Sequence, residues 1–116
     1  MIDKMTHLEV GSEKYPLAFT INVMEAIQEQ YGTIEDWSKL VQNAKEPNLK
    51  AVKFFMLEAI NEGIDIENEK SGKTRKPINS KQVGRILTDY GIANTVKKLR
   101  GTITNSISEG KTSKNE

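Results

Sequence analysis

The sequence has no cysteine, one histidine and one tryptophan in 116 residues. The first absence excludes disulfides, thiolate metal sites and cysteine nucleophiles together. A lone His7 supplies neither a histidine metal cluster nor a serine triad with a second general base in reserve. No apolar run approaches the roughly 20 residues that span a bilayer. The N-terminal stretch MIDKMTHLEVG lacks the basic-then-apolar order of a signal peptide. These absences lead to the expectation of a cytoplasmic, soluble protein without a cofactor. Hydrophobic residues make up only 36% of the chain, which predicts a thin core under a strongly polar surface.

The charge that is present is unevenly placed. Residues 1–69 hold 13 acidic and 6 basic side chains (−7), and residues 70–116 hold 3 acidic and 11 basic ones (+8). Such asymmetry suits a nucleic-acid face on the basic half, head-to-tail self-association, or two halves that lie against each other.

The most apolar stretch is Asn48–Glu69, NLKAVKFFMLEAINEGIDIENE. Leu49, Val52, Met56, Ala59 and Ile60 recur at spacings of three and four, which predicts a central helix starting after Pro47 and ending at Gly63. Before it, Thr6–Val10 and Tyr15–Phe19 alternate as two short strands, with Pro16 restricting the second to an edge. A helix follows over Ile21–Tyr31, capped by Thr20 or by Asn22 with Glu25, and Gly32 ends it. Thr33 then caps a short helix bearing Ile34, Trp37, Leu40, Val41 and Ala44. After Gly63, Ile64–Glu69 reads as a helix extension or short strand, and Lys70–Pro77 as a mobile loop. Asn79 or Ser80 caps a helix with Val83, Ile86, Leu87 and Tyr90 inside, which Gly91 stops. A last helix carries Ile92, Val96, Leu99, Ile103 and Ile107. The expected fold is mainly α (α+β), a helical bundle with a small N-terminal β-hairpin over residues 1–108. The tail over 109–116 is expected to be disordered.

Motifs for chemistry fail on inspection. Gly72-Lys73-Thr74 and Gly110-Lys111-Thr112 resemble the end of a phosphate loop, but Glu67 and Asn105 stand where the first glycine belongs. Asp65, Glu67 and Glu69 have the alternation of a calcium loop, but Lys70 and Lys76 replace its turn glycine and closing glutamate. The carboxylate pairs Glu35-Asp36 and Glu25-Glu29 cap or solubilise helices. No catalytic or metal-binding residue is assigned, and the expectation is a protein that is not an enzyme. A small catalytic subunit completed by a partner is a third, weaker reading. Ser80–Gly91 followed by IANTVKKLRG has the outline of helix, glycine turn and helix. Lys97, Lys98 and Arg100, with Lys81 and Arg85, would there face nucleic acid. Two antiparallel bundle helices predict the same letters.

Taken in order, the segments resemble the small tail assembly chaperones of long-tailed bacteriophages and prophages, particularly those of Gram-positive hosts. The resemblance rests on Tyr15-Pro16-Leu17 running into a helix that ends at Tyr31-Gly32, on Ile34–Leu40, on INEGIDIENE at Ile60–Glu69, and on KQVGRILTDYG at Lys81–Gly91. It covers about Leu8 to Ser108. It implies a non-enzymatic role in the infected or lysogenic host: coating the helix-rich tape-measure protein while the tail tube polymerises, often beside a longer frameshifted form. That task needs many copies, a face for amphipathic helices and weak self-association. Phe54, Phe55, Ile64 and Ile66 are the expected partner-binding residues. Stacking of acidic on basic halves is the expected mode of self-association.

Overall fold

The computed structural model describes residues 5–43 and 45–102. Its elements in chain order are β1 (Met5–Val10), β2 (Glu13–Ala18), α1 (Ile21–Tyr31), α2 (Ile34–Val41), α3 (Leu49–Ser71) and α4 (Ser80–Tyr90). A further helix, α5, covers residues 92–102. The architecture is thus mainly helical with a two-stranded antiparallel hairpin. The expected segments Ile103 to Ser108 and the 109–116 tail lie outside the described residues, as does Ala44.

Strand β2 and helices α1, α2 and α4 all pack on α3, whose 23 residues make a rod about 35 Å long. Asn48 caps it by accepting a hydrogen bond from the Ala51 amide at 3.0 Å, so Pro47 stands just outside the helix. Its buried face runs through Ala51, Val52, Phe55, Met56, Ala59, Ile60 and Ile64. Trp37 of α2 lies tilted on Phe55, with ring centres 5.0 Å apart, and Phe19 meets the same ring edge-on at 5.4 Å. The indole N–H donates to the Ala51 carbonyl at 3.1 Å, so this buried polar group is satisfied. Truncating an aromatic at this junction would cost about 3–5 kcal/mol.

The expected stop at Gly63 is incorrect, and of the two readings of Ile64–Glu69 the helix extension is the one observed. The helix continues eight residues further and ends at Gly72, whose φ of +76° is the left-handed conformation of a helix terminator. Gly63 serves a different purpose. A Cβ there would stand 2.8 Å from the Pro16 Cβ and 2.9 Å from its carbonyl carbon and oxygen. Strand β2 therefore crosses α3 at the one point in this part of the helix that has no side chain. Pro16 pairs only with β1, opposite His7, so its missing amide costs no ladder bond on a second side. From Pro16 to Phe19 consecutive residues are buried, so both faces of the strand end are covered rather than one.

The expected mobile loop at Lys70–Pro77 is also corrected. Lys70 and Ser71 belong to α3, and residues 72–79, neither helix nor strand, run back along it. The Asn68 amide donates to the Arg75 carbonyl at 2.9 Å and accepts from the Arg75 N–H at 3.1 Å. Asn61 makes the same pair of bonds to Ile78, at 3.0 and 2.9 Å. Seven helical residues rise about 10.5 Å, and three extended residues span about 10 Å. Two asparagines one heptad apart therefore match two backbone positions three apart. Arg75 is held further: its guanidinium lies 5.2 Å from the Tyr15 ring centre and donates to the Lys14 carbonyl at 3.2 Å.

At the other ends the expectations hold with small changes. Thr33 caps α2, and Asn79 with Gln82 forms a complete capping box on α4. Thr20 stands at the cap position of α1, but its hydroxyl donates to Glu62 of α3 at 2.7 Å, joined by the Asn22 amide at 3.0 Å. The Glu62 carboxylate thus sits at the positive end of α1. On α5 the buried positions are Thr95 and Leu99, whereas Ile92 is 42% exposed. The inward row is rotated from the expected Ile92–Val96–Leu99 line, and the Thr95 hydroxyl is satisfied by donating to the Gly91 carbonyl at 2.9 Å.

Candidate docking groove between α3 and α4

Helix α4 runs antiparallel to α3, with Ser80 near Leu57, Gly84 beside Lys53 and Thr88 near Leu49. Two open hollows adjoin the Leu49–Lys53–Leu57 ridge of α3, one of them between α3 and α4. One, of about 460 Å³, is lined by Leu49, Val52, Leu87 and Ile92, with Gly84 and Thr88 at its wall. The other, of about 490 Å³, is lined by Leu49, Phe54 and Leu57, with Lys50 and Ser80 at its edge. Lys53 lines both hollows. Its side-chain end passes over Gly84, so close that a Cβ there would be 3.7 Å from Nζ. Leu49 is 55% exposed, and with Ile92 it makes two of the three most exposed large apolar side chains of the described residues. Both were expected in the core stripe.

The groove is electrostatically one-sided. Among the described residues lining it the charged ones are Lys50 and Lys53, with no carboxylate. Neither lysine takes part in an ion pair among the described residues. Tyr31 of α1 flanks the same face, meeting Phe54 edge-on at 5.7 Å, and burial raises its phenol pKa.

Of the expected partner-binding residues, Phe55 and Ile64 are 1% exposed and belong to the core. The helical continuation past Gly63 turns Ile64 inward, and Phe55 is enclosed by Trp37 and Phe19, so neither offers a surface. Phe54 and Ile66 are half-buried, and Phe54 alone of the four lines the groove. Leu49, Lys53, Leu57 and Gly84 were not singled out. The available signal was Leu49-Lys53-Leu57 at four-residue spacing opposite the small residues Ser80, Gly84 and Thr88 at the same spacing.

The basic residues of the nucleic-acid reading do not gather into one site. Lys81, Arg85, Lys97 and Arg100 are exposed and Lys98 is half-exposed. Arg85 lines a hollow beside the hairpin that also holds Glu13 and Asp89. Lys97 and Lys98 flank Tyr90 and Asn94, while Arg100 donates to Gln42 of α2 at 3.4 Å. Gly91 alone separates α4 from α5, whereas a DNA-reading pair has a turn of about three to four residues.

Among the described residues no group of acidic, histidine or cysteine side chains is arranged to hold a metal, and no helix is long and apolar enough to cross a membrane. No protein-family model, curated protein or solved structure matches the chain.

Proposed function

We propose that the protein is a phage tail assembly chaperone that holds helices of the tape-measure protein, or of another tail protein, and does so without catalysis. The observation that supports this most is the pair of open apolar hollows beside Leu49, Lys53 and Leu57 of α3, whose lining suits an apolar helix face. A helix-rich client shielded during tube assembly needs many weak, reversible contacts of this kind rather than one tight one. The proposal includes weak self-association of copies in the bacterial cytoplasm.

The test is co-expression of this chain with a phage tape-measure protein. The expected result is that the tape-measure protein stays soluble and co-purifies, and that Leu57→Glu releases it. Retention of binding by Leu57→Glu, or no co-purification at all, would count against the proposal. A parallel measurement with random duplex DNA addresses the alternative. Micromolar binding that collapses between about 50 and 200 mM salt, and that weakens on replacing Lys97, Lys98 and Arg100, would favour the nucleic-acid reading.

A further inference from the structure

We infer that the outer edge of β1 joins two copies of this chain, paired antiparallel about Leu8. In that register His7 of each copy stands opposite Glu9 of the other. This holds whether or not the chain binds a tape-measure protein.

Which backbone groups face outward follows from the turn. Gly11 and Ser12 alone link the paired residues Val10 and Glu13. Gly11 has a φ of +61° and Ser12 a negative one, as in a two-residue hairpin turn led by glycine. Such a turn closes on a hydrogen-bonded pair, so Val10–Glu13, Leu8–Tyr15 and Thr6–Leu17 exchange the ladder bonds. The alternate pairs, Glu9–Lys14 and His7–Pro16, turn their amides and carbonyls away from each other. Two observations agree with this phase. The Lys14 carbonyl accepts from Arg75, outside the hairpin, at 3.2 Å, and Pro16, which has no amide, occupies an outward position.

The two edges of the hairpin differ. On β2 the strap takes the Lys14 carbonyl, Pro16 offers no donor, and α3 crosses at Gly63. On β1 the outward groups of His7 and Glu9 have no backbone partner among the described residues. This strand is six residues long and carries no proline or lysine to keep another strand away.

Charge selects the occupant and the register. Only outward residues can exchange bonds across the edge, so a two-fold axis can pass at His7, Leu8 or Glu9. At Glu9 it sets carboxylate against carboxylate, and at His7 it sets ring against ring. At Leu8 it sets His7 against Glu9 twice and Thr6 against Val10 twice, which are favourable cross-strand pairs. The His7 side chain is 35% exposed and Glu9 is exposed, so both are open to a neighbour. His7 Nε2 lies 3.1 Å from Glu67, which leaves the other ring nitrogen for Glu9 of the second copy. The two hairpins then form one sheet in the order β2-β1-β1-β2.

The experiment uses the full chain. It has no cysteine, so His7→Cys and Glu9→Cys each introduce a single thiol. Opposite positions of the proposed pair have Cα atoms about 5.5 Å apart, within disulfide reach. Like positions lie diagonally at about 8–9 Å, beyond the roughly 7 Å limit. Under mild oxidation a mixture of the two variants should give a cross-linked dimer, and each variant alone should not. Absence of the link in the mixture, or linking of either variant to itself as readily, overturns the inference. Glu9→Pro removes an outward amide and leaves the hairpin ladder intact. It should abolish the dimer in sedimentation equilibrium with helical circular dichroism unchanged, and a dimer that survives it overturns the inference. The dimer of the unaltered chain should persist at about 500 mM salt, because main-chain hydrogen bonds are not screened as surface charges are. A monomer at every concentration overturns the inference too.

Discussion

Two glycines in helix interiors illustrate how differently one residue type is used. Gly63 has a strand's backbone and proline ring within 3 Å of where its Cβ would be. Those atoms are not the free end of a flexible side chain, so they cannot move aside. Gly63→Ala should therefore destabilise by about 2–3 kcal/mol through overpacking, read as a lower urea midpoint at unchanged slope. Gly84 meets only the end of Lys53 at 3.7 and 3.8 Å, ordinary contact. Gly84→Ala should stabilise by about 0.5–1 kcal/mol, because alanine loses less backbone entropy in a helix. Thermal unfolding of the two variants side by side should give shifts of opposite sign. Equal signs would mean that the close approach of Pro16 is wrongly placed.

At the scale of elements, the segment 72–79 behaves as a strap rather than a loop. Its order depends on two side chains of α3, each pairing with both the donor and the acceptor of one backbone residue. Asn61→Ala leaves the Ile78 N–H and carbonyl to water or to nothing, at about 1–2 kcal/mol. In hydrogen exchange the Ile78 amide should lose protection in Asn61→Ala and the Arg75 amide in Asn68→Ala, with the amides of Val52 to Ile60 unchanged. Loss of protection throughout α3 would show that the strap contributes to global stability instead. The heptad spacing of the two asparagines was visible beforehand. Their purpose was not, because side-chain amides reading a distant backbone leave no periodic apolar signal.

For the whole molecule, part of the charge asymmetry is resolved inside the fold. Arg75, from the basic half, reaches the hairpin of the acidic half, stacking on Tyr15 and standing 3.9 Å from Glu13. The rest stays on the surface, with Glu25 and Glu29 beside exposed Ile21 on α1 and Lys97, Lys98 and Arg100 on α5. Contacts between such surfaces of different copies are heterologous and extend instead of closing. Sedimentation velocity should show concentration-dependent oligomers at about 50 mM salt that disperse near 500 mM, where charge attraction is screened within a few ångströms. A strict monomer at high concentration and low salt would sink the self-association proposal.

The sequence by itself determined the element order, the helix starts at Thr33, Asn48 and Asn79, and the place of α3 as the centre. These follow from local chemistry: side-chain oxygens that cap amides, and apolar residues repeating at helical spacing. Only the tertiary structure decided how far α3 extends, because Gly63 looks like a terminator until Pro16 is packed against it. Only it decided that Phe55 and Ile64 are core while Leu49 and Ile92 are surface, since an apolar stripe wider than its partners can cover leaves some members outside. The groove is of the same kind. Its lining comes from α3, α4 and the start of α5, and no window of sequence holds the antiparallel pairing that brings Leu49 beside Ile92 and Lys53 over Gly84.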